Sequence, residues 1–310
     1  MTDIPLPHRP GPLPHQLGLV SWVEVLALGV IWGASFLSVR IALDGIVPLW
    51  VATGRLTIAA VTLVLLLMAL RIRLPPLSNR RLWVHIAGFA IFSNAMPFAL
   101  TAWAQQYVQS SFVGISMALV PLFTLGLAHV FLPDEKLTLA RVAGFVLGLV
   151  GVVVLIGTDA LIVGTGTMQM VARLVCVAVT LSYSIGAIVA RRSPPGDPIA
   201  FTAASVLLAA AVLLPLTLAM SGVPALPPLR PALAMAYLGL FPTALAALIM
   251  VHVIRTAGPT FLTQTNYQVP VWSMIFGTLV LAEPLPPQFL IALALILTGL
   301  AVSRLAMRRR

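Results

Sequence analysis

The 310-residue sequence predicts an all-α polytopic membrane protein with ten transmembrane helices in two inverted five-helix repeats. Three observations predict it. The composition is 60% hydrophobic and 8% charged, with a mean hydropathy of +1.06, whereas soluble domains average about 25% charged residues. Ten apolar runs have the roughly 20-residue length of a spanning helix and are separated by turn residues. A segment of the first half also reappears in the second. So few charges exclude a soluble enzyme, a disordered chain and a nucleic-acid module. Ten spans also leave no length for a sizeable soluble domain.

The runs lie at about 20–42, 48–70, 82–103, 111–132, 138–157, 168–190, 198–220, 232–253, 259–281 and 287–305. Asp44-Gly45 ends the first, and Pro75-Pro76 separates the second from the third. Pro133-Asp134 follows the fourth, and Pro194-Pro195-Gly196 follows the sixth. Pro224 and Pro227-Pro228 precede the eighth, Gly258-Pro259 the ninth, and Pro284 with Pro286-Pro287 the tenth. These residues terminate helices. Backbone groups in hydrocarbon must be satisfied within their own segment, so each run reads as a helix. Residues 1–18, with five prolines, read as a disordered cytoplasmic tail. Residues 19–157 and 168–305 form the two repeats, and 306–310 a basic cytoplasmic tail.

The net charge of +10 and the pI near 11.4 describe orientation. With the N-terminus in the cytoplasm, 14 of the 18 basic residues fall on cytoplasmic segments and only Arg230 on an outer loop. This asymmetry places both termini in the cytoplasm of a cell (inner or plasma) membrane. The expected partners are the lipid bilayer and a small-molecule substrate, with no nucleic acid. The lone Cys176 gives no disulfide and no cysteine cage, and no cofactor or metal is expected.

The repeat is visible in Met117 to Gly151 and Asn266 to Gly299. Each has Val-Pro inside a span (Pro121, Pro270), a short loop with Glu (Glu135, Glu283) and a helix with a late glycine (Gly151, Gly299). Five helices per half is odd, so the halves insert with opposite orientation. Such pairs support alternating access around a midplane site.

Trp32-Gly33 in the first run, Arg55 before an Ala-rich stretch in the second, and the duplicated Pro121…Glu135…Gly144…Gly151 block resemble the EamA-like branch of the drug/metabolite transporter superfamily. The similarity spans about residues 20–305. It implies the same ten-helix fold and movement of small metabolites, often export of amino acids or drug-like compounds. The second copy departs where Pro284 follows its Glu and where Gly144 has no glycine counterpart.

Polar residues at membrane depth are candidate substrate contacts. The ninth run is densest. Thr263, Asn266 and Tyr267 share a face with Pro270 at helical spacing and read as a cavity wall or as hydrogen-bonding glue between helices. Asn94 sits mid-span on one face with Thr101 and has the same two readings. Trp32 and Trp272 lie too deep for an interfacial belt; each lines a pocket or packs the bundle. Tyr183 is a weaker candidate of that kind, as is Tyr237. Arg55, about 10 Å into its helix, captures a substrate carboxylate, snorkels, or pairs with Asp44 or Glu283. No acid lies mid-span. Glu24 is near the cytoplasmic side, and proton coupling through it stays open, as do a facilitator or importer. Glu135 and Glu283 read as acceptors for helix N-termini. The sequence has no GxSxG or HExxH for an intramembrane enzyme and no filter-like charged ring for a pore. Gly29…Gly33 and Gly144…Gly148 allow close helix approach, within a monomer or in a homodimer. A central cavity is expected between helices one, three, six, eight and nine.

Overall fold

Prolines and short caps set where the helices begin. The computed structural model describes residues 18–132, 138–157 and 167–305, and all regular structure among them is helical. Pro48, Pro198, Pro259 and Pro287 each stand in a first helical turn, where a missing N–H costs nothing. Asp197 accepts from the N–H groups of Ile199 and Ala200, both at 2.9 Å. Asn79 accepts from Leu82 N–H at 3.2 Å.

The helical segments are α1 (Leu19–Ala42), α2 (Pro48–Leu70), α3 (Arg80–Ala104), α4 (Ser110–Phe131) and α5 (Leu139–Ile156), then α6 (Thr167–Arg191), α7 (Pro198–Ser221), α8 (Leu229–Thr256), α9 (259–281) and α10 (Pro287–Leu305). Seven of them, α1 to α4 and α6 to α8, are long and apolar enough to cross a membrane. Shorter apolar stretches lie in α5 (Val142–Ile156) and α10 (Pro287–Ser303). The expectations for residues 1–17, for Glu135 and for 306–310 fall outside the described residues.

Two helices contain a wide π-turn, Ala90–Ala95 in α3 and Leu240–Leu245 in α8. Hydropathy gives no sign of them. Proline gives the physical reason, since it lacks an N–H and crowds the carbonyl four residues back. In α8 that carbonyl belongs to Leu238, and the hydroxyl of Thr243 donates to it instead at 2.8 Å. In α3 Pro97 stands two residues beyond the end of the wide turn. The third departure is α9. The sequence reads as one helix, but it breaks into Pro259–Leu262 and Thr265–Leu281, and Thr265 Oγ1 donates to the Leu262 carbonyl across the break at 2.8 Å.

The packing has paired features. α2 lies on α7, and α5 lies on α10. α1 contacts α8 and α9, while α6 contacts α3 and α4. The Trp32 indole donates to the Pro242 carbonyl and the Ser182 hydroxyl to the Phe92 carbonyl. The two donors stand 150 positions apart, and so do the two acceptors. One apolar core joins α2, α3, α7 and α8. Another joins α4, α5, α6, α9 and α10 with the end of α3.

Both GxxxG sequences are used within the chain. Gly29 and Gly33 face Gln268 and Trp272 of α9, Gly144 faces Gly299 and Ser303 of α10, and Gly148 faces Leu122 of α4 with its backbone against Gly299. A Cβ on Gly299 would fall 2.5 Å from the Gly144 carbonyl oxygen, and one on Gly33 2.5 Å from Trp272 Cβ. Overpacking of such contacts costs about 1–3 kcal/mol. Gly299→Leu is therefore expected to lower the melting temperature in detergent. Gly18→Leu, where nothing lies within 4 Å, should leave it unchanged.

Candidate functional site

The π-turns shape the centre of the bundle. Each brings residues to the lining of a cavity of about 340 Å³, Ser93 and Asn94 from α3 and Pro242 and Thr243 from α8. Wide turns of this kind recur at functional sites. Each of the five helices expected to surround a central cavity contributes, and α2, α4 and α7 join them.

Arg55 of α2 is the site's cation. Its side chain does not snorkel, for the residue is only 9% exposed. Nε donates to Thr243 Oγ1 at 2.8 Å, and the guanidinium carbon stands 3.7 Å above the centre of the Phe98 ring. A hydrogen bond from a charged donor contributes about 1.5–3 kcal/mol, and a desolvated cation over an aromatic face about 2 kcal/mol. These contacts hold the head in place without neutralising it. Neither acid expected as its partner stands there. Glu283 accepts from Ser110 N, Ser111 N and Ser111 Oγ at the start of α4, at 2.8, 3.0 and 2.6 Å, which is the helix-terminus role expected of it. Asp44 lines a different chamber. Among the described residues no carboxylate reaches Arg55.

Around this cation stand Trp32, Phe36 and Phe98 as ring surfaces and Asn94, Tyr183 and Asn266 as polar groups. The Asn94 amide nitrogen is buried with no hydrogen-bond partner in the protein, so it is available to a bound solute. Trp32, Arg55, Asn94, Tyr183 and Asn266 thus converge on one cavity. Thr263, Tyr267 and Trp272 fall outside its lining. The break in α9 separates Thr263 from the helical register of Asn266. Trp272 stands in the α1–α9 contact over Gly33 and stacks on Phe276, ring centres 5.8 Å apart. Tyr237 donates to the Ile31 carbonyl at 3.3 Å and stacks on Phe241. Phe36, Phe98 and Thr243 were missed by sequence reasoning. Pro242 beside Thr243 was the one available signal.

Glu24 lies outside the cavity lining, near the start of α1. Its Oε1 is 2.6 Å from Nδ1 of His252 in α8. Among the described residues, no group of three His, Cys, Asp or Glu side chains could hold a metal ion.

A model of the EamA-like transporter family matches residues 21–157 and 170–305. The "Uncharacterized inner membrane transporter YedA" of Escherichia coli is 28% identical over 82% of this chain and 80% of its own. The "Probable terminal-alkyne amino-acid exporter" of Streptantibioticus cattleyicolor is 26% identical over 95% of this chain and 97% of its own. A solved crystal structure of a protein 23% identical to this one shares the fold, with a TM-score of 0.65 over 94% of this chain and 98% of its own.

The Thr243 hydroxyl serves two partners at once, as acceptor for Arg55 and donor to Leu238. Thr243→Val strands both and is expected to destabilise the protein by about 1–3 kcal/mol, read as a lower melting temperature in detergent. Thr243→Ser, which keeps the hydroxyl, should stay close to wild type.

Proposed function

This chain belongs to the EamA-like transporter family, and on that premise we propose that it carries a small amphipathic solute with a carboxylate group, an amino acid in the first instance, by alternating access. The observation that carries the proposal is the buried Arg55, held by Thr243 and Phe98 yet facing a cavity without an acidic partner among the described residues. A guanidinium presents a fork of N–H donors that suits a carboxylate. The ring faces of Trp32, Phe36 and Phe98 offer surface for an apolar side chain, and Asn94 and Asn266 offer amide contacts.

In this reading ten spans form two inverted five-helix repeats. The paired contacts, the two π-turns and the two side chain–carbonyl bonds at a spacing of 150 support it. The cavity then lies where the halves meet, the place at which such transporters bind. The distribution of basic residues supports cytoplasmic termini. The exporter at 26% identity supports outward movement of an amino acid.

Counterflow into proteoliposomes preloaded with amino acids, nucleosides or cationic drugs tests this. Amino acids with apolar side chains are expected to accumulate. Arg55→Gln should abolish the accumulation. Trp32→Ala and Asn266→Ala should each slow it by about tenfold, the effect of losing roughly 1.4 kcal/mol of differential binding. Accumulation of cationic drugs but no amino acid, or unchanged counterflow in Arg55→Gln, would overturn the proposal.

A further inference from the structure

A second chamber, of about 560 Å³, opens at the end of the bundle where α1 finishes, which the proposed topology places outside the cell. It is formed by the ends of α1, α3 and α9 and the beginnings of α4, α6 and α10. Arg40 and Arg173 both line it. Each guanidinium is oriented by one backbone carbonyl, Arg40 Nη1 on Gln105 at 3.0 Å and Arg173 Nη1 on Ile156 at 2.5 Å. Among the described residues neither has a carboxylate within ion-pair distance. Glu283 also lines the chamber, but both its oxygens are held by the start of α4.

Gln105 supplies an independent pointer. It lines the chamber and is 0% exposed, and neither its amide nitrogen nor its amide oxygen has a hydrogen-bond partner in the protein. Beside it, Gln109 Oε1 is likewise buried and unpartnered. Buried amides are almost always satisfied, and leaving both ends of one empty is costly. A polar ligand in the chamber would complete them. Behind these groups Phe112 packs on Phe289, ring centres 6.0 Å apart, and both rings line the same space.

We propose that this chamber is a second binding station for a carboxylate-bearing amphipathic solute. Arg40, Arg173 and the Gln105 amide N–H face its carboxylate, and Phe112 and Phe289 face its apolar body. Asp44, on the rim, accepts from the ammonium group when the solute is an amino acid. The identity of the solute rests on the transport reading above. On the proposed orientation the chamber holds the solute after it leaves the central cavity and before it reaches bulk water.

The full chain in lipid nanodiscs is titrated with three probes that share one apolar body: 3-phenylpropanoate, L-phenylalanine and 2-phenylethylamine. Arg55→Gln silences the central cavity, so binding that remains reports the outer chamber. The acid and the amino acid are expected to bind that variant and the amine is not. Adding Arg40→Gln or Arg173→Gln should raise the dissociation constants about tenfold, as loss of a charge-assisted hydrogen bond does. Equal binding of acid and amine, no binding of the acid, or unchanged constants in the arginine variants would overturn the proposal. If Arg55→Gln does not fold, wild-type stoichiometry decides: two acid molecules per chain support the station and one overturns it. Absence of amino-acid counterflow with outer binding intact would remove the transport reading and leave the chamber. Intact counterflow without outer binding would do the reverse.

Discussion

A guanidinium buried between apolar helices must be solvated by the protein itself, and the centre of this bundle is arranged around that requirement. Among the described residues Arg55 has one hydrogen-bond acceptor, Thr243, and one aromatic face, Phe98. Thr243 is in position because α8 opens into a wide turn there, and the turn is held by the bond from Thr243 to Leu238. The Trp32 indole then closes on the Pro242 carbonyl of the same turn. Cation, turn and aromatic wall are therefore one connected unit. Removing any of them takes a contact from a buried polar group: Arg55 loses Phe98, Thr243 loses Arg55, or the Pro242 carbonyl loses the Trp32 indole.

The periphery is built differently, from close packing with little polar chemistry. α5 and α10 meet through Gly144, Gly148, Gly151 and Gly299, and backbone approaches backbone there. α2 and α7 meet through apolar side chains and one hydroxyl pair, Thr53 and Thr217, at 2.7 Å. Dispersion and a few interhelical hydrogen bonds drive association in lipid, where helices gain nothing from leaving water. The polar groups are concentrated instead in the central cavity and the chamber above it.

The helical framework was legible in the sequence because hydrocarbon solvent writes a coarse and strict message. Runs such as 48–70 and 198–220 end within a residue of the observed helices, since prolines and charges mark their limits. The convergence of Trp32, Arg55, Asn94, Tyr183 and Asn266 was readable for a related reason: polar or bulky residues at depth need a purpose. Phe36 and Phe98 were not readable, because a phenylalanine facing a cavity and one facing lipid look alike in a single sequence. The partners of Arg55 were misread because spacing along the chain does not reveal which helices touch. The acids expected for it stand elsewhere: both line the second chamber, and Glu283 also caps the start of α4. The break in α9 escaped because Thr263 and Gln264 carry no breaker signature.

A wide turn is in effect one residue inserted into a helix, and it changes the rotational phase of everything downstream. Each residue of an α-helix advances its neighbours by about 100°. Beyond Ala95, α3 is therefore turned relative to the helix that an unbroken register would have made. Phe98 and Thr101 meet Arg55 and the cavity because of that turn. Deleting one residue such as Ile91 would keep hydropathy and length almost unchanged. It would nonetheless rotate the two halves of α3 against each other. The composition of this site is thus only half of its specification; the other half is an angular offset stored in the backbone, invisible to any count of residue types.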